Sequence, residues 1–313
     1  MESLSGEERL TAAPLVPEKG PRIFINIILF ILTIITTFII GAVDNLGFQS
    51  NEPIVFDLGF IHKIFDDPSI LRHGFYFSIA IMGFLLSHEL GHYFTCRRYK
   101  IKATLPYFIP APTLVGTFGA FIKIKSPIKN KKALFDIGIA GPLAGFAAAL
   151  PTLIIGLKLS KPILIPPVHK GLYLGIGEPL LFDLIERVFL PVYPDNYDLL
   201  LHPIALAGWF GCLATALNLL PISQLDGGHI SYAIFGKHYS KVSLGVFSVI
   251  ILMGFITGFP GWFFWGLLIL LLGLRHPRTL NDELPLDGKR KLLGILALII
   301  FILTFMAKPI YIS

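Results

Sequence analysis

From Ile23 to Val43 the chain carries no charged side chain, and several later stretches are almost as bare. An α-helix needs about 20 consecutive apolar residues to cross a hydrocarbon layer about 30 Å thick. Lipid offers no partner to an unpaired backbone amide, so stretches of this kind fold as spanning helices. The segments that fit are Arg22–Val43, His73–Tyr93, Ala133–Leu157, His202–Ile222, Val242–Phe259, Gly261–Leu274 and Leu292–Ala307. The fifth and sixth are separated by Pro260, and Gly261–Leu274 is short, so it either re-enters the membrane or starts earlier. The expected fold is an all-α polytopic membrane protein with about six to seven transmembrane helices. Composition agrees, because 54% hydrophobic and 15% charged residues are more apolar material than a soluble fold of 313 residues needs.

The charges that remain orient the chain. Basic residues crowd the loop after the second span (Arg97, Arg98, Lys100, Lys102, Lys123, Lys125, Lys129, Lys131, Lys132) and the loop before the last (Arg275, Arg278, Lys289, Arg290, Lys291). Basic loops stay in the cytoplasm, and a seven-span path places both on that side. The net charge of +6 is therefore read as orientation in a bilayer, not as a nucleic-acid surface. Cys96 and Cys212 are far apart and lack a C-x-x-C spacing, which argues against a disulfide framework or a cysteine metal site. The expected divisions are a flexible cytoplasmic tail (1–20), a first transmembrane helix with its outer loop (21–72), a core (73–236) and C-terminal transmembrane helices (237–313). The connection 158–201 is long enough to hold an amphipathic helix near Glu178–Leu190.

The chemistry sits at the end of the second span, in His88-Glu89-Leu90-Gly91-His92. Residues four apart share a helix face, so both imidazoles point one way and can bind a single Zn²⁺. Glu89 borders that face, where a carboxylate can take a proton from metal-bound water. Two histidines and a glutamate at the end of an apolar span are costly unless they do work. A catalytic zinc site needs a third protein ligand. Among the ionisable residues at cytoplasmic span ends, Asp226 stands out in Asn218-Leu-Leu-Pro221-Ile-Ser-Gln-Leu225-Asp226-Gly227-Gly228-His229. Pro221 ends a helix and the glycine pair permits a sharp turn, so Asp226 is expected on irregular backbone at membrane depth. A helix end with a capping aspartate is the plainer alternative.

His88-Glu89-x-x-His92 followed by Asn218-x-x-Pro221-x-x-x-Leu225-Asp226-Gly227 resembles the site-2 protease family of intramembrane metalloproteases. Both motifs match at every fixed position, and Ala140-Gly141-Pro142-Leu143-Ala144-Gly145 is similar to the family's Gly-Pro motif. The resemblance covers about His73 to Gly236. It implies a three-helix catalytic core, one Zn²⁺ per chain on His88, His92 and Asp226, Glu89 as general base, and Asn218 beside the substrate backbone. Leu105–Lys125 is similar to the subgroup without a PDZ domain, which has bacterial, archaeal and chloroplast members. The implied function is cleavage of transmembrane protein substrates within the lipid bilayer. The implied location is a bacterial or archaeal inner membrane, with the site near the cytoplasmic face.

Several residues stay open at this point. Val115–Lys125 alternates loosely and contains Gly116 and Gly119, so it reads as a membrane-associated β-hairpin whose edge pairs with an extended substrate, or as an interfacial loop. Gly141, Pro142 and Gly145 read as close helix packing. His229 is a further candidate ligand, read rather as a neighbour of the site. His62, His73, His169, His202, His238 and His276 have no assigned role. The competing function is a metal-ion transporter, because ionisable residues in spans also mark ion pathways. Glu89 argues against it, since transit needs no base beside a ligand. A prenyl-protein-processing type of protease would take its third ligand from a downstream glutamate, and none stands in a matching context. Oligomeric state and substrate identity are not legible.

Overall fold

The computed structural model describes residues 23–50, 68–164, 174–194 and 196–312. The expected tail 1–20 and most of the first outer loop lie outside the described residues. The chain is mostly helical. In order, the elements are α1 (Ile23–Ser50), α2 (Ser69–Arg98), β1 (Tyr107–Pro110), β2 (Thr117–Phe121), α3 (Lys131–Leu159), β3 (Lys161–Leu164) and β4 (Leu174–Ile176). They continue with α4 (Leu180–Phe189), β5 (Tyr197–Leu200), α5 (Pro203–Leu219), α6 (Asp226–Phe235), α7 (Tyr239–Thr257), α8 (Gly261–Leu272), α9 (Gly288–Thr304) and β6 (Ile310–Ile312).

Among the described residues, four helical stretches are long and apolar enough to cross a membrane: Ile23–Gln49, Ser69–Arg98, Lys131–Leu159 and the joined Asp226–Thr257. The expectation was six to seven. Pro203–Leu219 and Gly261–Leu272 are apolar but shorter. At 1.5 Å per residue, the 12-residue α8 is about 18 Å long, less than a hydrocarbon layer. Helix α1 continues past the expected end at Val43 because a single Asp44 does not stop a helix; Asn45 and Phe48 remain buried on it.

Helix α3 is the centre of the molecule, packed against α2, α5 and α6. Its start is fixed by Asn130, whose side chain accepts from the Ala133 N–H at 2.9 Å. Phe77, Ile81, Phe84 and Leu85 of α2 bury against Ala149 of α3 and Ala207 of α5. Small residues let the backbones approach: a Cβ on Gly208 of α5 would lie 2.6 Å from the Leu153 Cα of α3.

The hairpin differs from the expected one. Val115–Lys125 supplies only β2; its antiparallel partner β1 lies upstream, with Tyr107 opposite Phe121 and Phe108 opposite Ala120. Pro106, Pro110 and Pro112 hide that strand from a pattern reading, since proline is confined to strand ends and edges. The few polar residues of α1 are used to seat the hairpin. The Asn26 amide donates to the Leu105 and Pro106 carbonyls at 3.0 and 2.8 Å, and the Thr36 hydroxyl donates to the Gly116 carbonyl at 2.7 Å. Two further antiparallel pairs follow: β3 with β5 closes the long connection on itself, and β4 with β6 ties it to the C-terminal segment. They are three or four residues long, too short for an alternation to register.

Candidate metal centre

His88 and His92 lie one turn apart near the end of α2, with 6% and 9% of their side chains accessible, and Asp226 opens α6 with 13% accessible. The irregular backbone expected at Asp226 is one step earlier, in Leu220–Leu225, and Asp226 itself is the first helical residue. That loop folds back over the start of α6, with Ser223 at φ 57° and its carbonyl taking a hydrogen bond from Tyr239 at 2.8 Å. Only glycine tolerates the approach: a Cβ on Gly227 would lie 2.0 Å from the Leu219 carbonyl oxygen, and one on Gly228 2.4 Å from that of Ser223. The Asp-Gly-Gly sequence is thus a structural requirement for placing the carboxylate.

Three ligand-type atoms meet. His88 Nε2 and His92 Nε2 are 3.1 Å apart, and Asp226 Oδ2 is 3.2 and 3.3 Å from them. A tetrahedral zinc ion with bonds of about 2.0–2.1 Å spaces its ligand atoms about 3.3 Å apart, so this triangle matches one face of its shell. The donor set of two imidazoles and one carboxylate also suits that ion. His92 Nδ1 lies 2.7 Å from the Ile137 carbonyl and donates to it, which leaves Nε2 as the free lone pair. His88 Nδ1 is buried without a hydrogen-bond partner among the described residues.

Glu89 is 5% exposed, and the backbone of Ile122, the residue after β2, lies beside its carboxylate. The hairpin therefore ends beside the candidate base. Asn218 is on the last turn of α5, half-buried, and its side chain makes no hydrogen bond among the described residues. Gly119 has φ 101° and open space where a Cβ would stand. Gly116, at φ 79°, is instead pressed on α1, where a Cβ would lie 2.7 Å from the Thr36 carbonyl oxygen.

Gly141 and Gly145, expected at close helix packing, face the two histidines. A Cβ on Gly141 would lie 2.0 Å from His92 Nε2, and one on Gly145 3.1 Å from His88 Nδ1. Gly138 adds a third position on this face, 2.8 Å from the His229 Cβ on the same construction. The spacing of three and four residues was the available signal. His229 is outside the triangle; its Nδ1 lies 2.6 Å from Nε2 of His276, a residue that no motif singled out.

A second carboxylate group, Glu178, Asp183 and Glu186, sits at α4, the expected amphipathic helix. Burial, and then the charges of Glu178, Asp183 and Asp198, push the Glu186 carboxyl up to about 7.

Comparison with known proteins gives a consistent answer. The profile of the family described as Peptidase family M50 matches residues 76–260. The chain is 32% identical over 309 residues to a protein named probable zinc metalloprotease EGY1, chloroplastic, of Arabidopsis thaliana, covering 93% of this chain and 55% of the relative. It is 30% identical to the rice protein of the same name (Oryza sativa subsp. japonica), over 92% of this chain and 52% of the relative. It is also 30% identical to probable zinc metalloprotease EGY2, chloroplastic, of Arabidopsis thaliana, over 78% of this chain and 44% of the relative. The chain spans about half the length of the curated relatives it matches. Those relatives are chloroplastic by name, a different compartment from the bacterial or archaeal membrane expected from the sequence.

Proposed function

This chain belongs to peptidase family M50, the family of the site-2 proteases, and from that premise we propose that it is an intramembrane zinc metalloendopeptidase. Its proposed substrates are membrane proteins, cut in or near their transmembrane segments. One observation carries the reading: two imidazole nitrogens and a carboxylate oxygen meet within 3.1–3.3 Å on apolar helices, with Glu89 buried beside them.

In this reading His88, His92 and Asp226 hold one Zn²⁺. A zinc ion bound there supplies Lewis acidity, polarising a carbonyl and bringing the pKa of a water toward neutrality. Glu89 takes the proton of the attacking water and returns it to the leaving amine nitrogen. The Ile122 backbone lies beside that carboxylate, at the end of the hairpin.

A peptide bond in a transmembrane helix is closed off by its own hydrogen bonds, so the substrate has to unwind. Strand β2 has one edge on β1 and leaves the other unpaired by any strand among the described residues. That edge, opened by Gly119, is the proposed clamp for the unwound segment, and the unpaired amide of Asn218 satisfies freed backbone groups beside it. Gly116 serves the clamp by seating it on α1. The proposed setting is regulated intramembrane proteolysis, in a bacterial or archaeal cell membrane. The basic loops support a site near the cytoplasmic face. Membership of a peptidase family, together with Glu89, weighs against the ion-transit alternative.

The test is turnover of a single-span model substrate by the Glu89→Gln chain. Retained zinc and fold with cleavage lowered by about 10²-fold or more is the expected result, because an amide cannot accept the proton. Cleavage within a few-fold of the parent chain would remove Glu89 from the chemistry.

A further inference from the structure

A cavity of about 740 Å³ lies outside the metal centre, between the α6–α7 junction and the segment that follows α8. Its volume suits a small ligand. Its walls carry four fixed cations, Lys131, Lys237, Arg275 and Arg278, and none of them has an ion pair among the described residues. The one carboxylate in the lining, Asp282, is already engaged: Tyr232 donates to its Oδ2 at 2.7 Å and Thr279 to its Oδ1 at 2.6 Å. Burial opposes its charge, but those hydrogen bonds and nearby Lys131 hold the Asp282 carboxyl below its ordinary value. The cavity therefore keeps a large positive excess.

Lys237, Arg275 and Arg278 are exposed and Lys131 is half-buried; unpaired lysines and arginines around one pocket repel one another, and the geometry asks for an anion. Guanidinium groups match phosphate in particular, through paired N–H donors. The aromatic wall adds a flat surface, with His276 stacked on Tyr232 at 4.5 Å and an interplanar angle of 21°. The same His276 reaches His229 on α6, one turn beyond Asp226, so the cavity adjoins the helix that carries the carboxylate ligand.

We propose that this cavity binds a phosphate-bearing anion, through Arg275 and Arg278 from one side and Lys131 and Lys237 from the other. The phosphate can come from a soluble compound or from the headgroup of an anionic phospholipid, and the two sources separate by experiment. The 313-residue chain, purified in detergent, is titrated with inorganic pyrophosphate by calorimetry. In parallel it is exposed to vesicles of phosphatidylcholine with or without phosphatidylglycerol, and retained lipid is read by native mass spectrometry.

Saturable pyrophosphate binding marks a soluble ligand, and selective retention of phosphatidylglycerol alone marks the lipid. In either case the Arg275→Gln/Arg278→Gln chain should bind about tenfold more weakly or worse for each arginine lost, the size of a charge-assisted phosphate contact. Lys123→Gln/Lys125→Gln removes the same charge outside the cavity and should leave binding within about threefold. Lys237→Gln, at an exposed side chain, repeats the test should the arginine variant fail to fold. The proposal is overturned if neither probe binds the parent chain, if the cavity variants bind like it, or if the control variant loses as much.

Discussion

Gly141→Ala is the sharpest test of how the metal centre is built. The added methyl would stand 2.0, 2.4 and 2.5 Å from Nε2, Cε1 and Cδ2 of His92. Ordinary contact begins at 3.4 Å, so ring or helix would have to retreat by about 1.4 Å, while zinc ligation tolerates only about 0.2 Å. The ring has no free direction, because Nδ1 is tied to the Ile137 carbonyl at 2.7 Å on the same helix α3. Overpacking of this kind costs about 1–3 kcal/mol, which exceeds the roughly 1 kcal/mol a helix gains from Gly to Ala. Zinc affinity should therefore fall about 10- to 100-fold, with helix content kept. Gly145→Ala, whose nearest atoms are Phe84 Cε2 at 3.0 Å and His88 Nδ1 at 3.1 Å, should lose only a few-fold. Gly83→Ala, with nothing within 4 Å, should lose none. The assay is zinc competition against a graded chelator on detergent-purified chains, with circular dichroism as the fold control. Equal zinc affinity for the Gly141 and Gly83 variants would refute the account of the glycine face.

Three further outcomes are expected. Gly119→Pro and Asn218→Leu should each cut cleavage of a model span while zinc content stays unchanged, since a proline ring cannot adopt φ 101° and so distorts the clamp strand, where the Gly119 N–H donates to Thr117 Oγ1 at 2.9 Å; normal cleavage by both would return the hairpin to a surface role. Arg290 holds Asp136 through Nε at 2.8 Å and Nη2 at 2.6 Å, with 21% and 24% of the two side chains accessible. Arg290→Gln should cost about 1–3 kcal/mol, between an exposed and a buried pair, read as a lower melting temperature. Glu186 has its folded pKa raised from 4.5 to about 7, so folding penalises its charged form above about 7 and the penalty fades as pH falls toward 4.5. Melting temperature should rise on that acidification, and Glu186→Gln should flatten the rise, removing roughly 1 kcal/mol once solvent screening is allowed for; an unchanged pH profile would disprove it.

The parts of this molecule that were legible in the sequence are those written in side-chain spacing. His88 and His92 sit four apart on a helix, and the bare stretches became helices at nearly the drawn positions, as with Ala133–Leu157 inside Lys131–Leu159. What escaped was set by backbone. Strand β1 was hidden by its prolines, and β3 through β6 by their length. Asp226 entered a helix because the turn was completed by Leu225, one residue earlier than Pro221 and the glycine pair suggested. His276 lies 47 residues from His229, and nothing local to either announces the contact.

The two histidines of the centre are not equivalent, and this follows from where α3 lies. His92 is fixed through both ring nitrogens, one on the Ile137 carbonyl and one in the ligand triangle. His88 is fixed through Nε2 alone, with Nδ1 buried and unpartnered and the Gly145 face directly behind it. A buried unpaired N–H costs about 1–3 kcal/mol in a folded protein, and ligating histidines usually spend it on a carbonyl or carboxylate. Here α3 approaches so closely that the space behind His88 is taken by the edge of Phe84 and the helix itself. The same close approach that brings the Ile137 carbonyl to one imidazole denies a partner to the other. The glycine face thus sets the rigidity of the centre as well as its shape: His92 is held by the Ile137 carbonyl of α3, and His88 is held chiefly by what it binds.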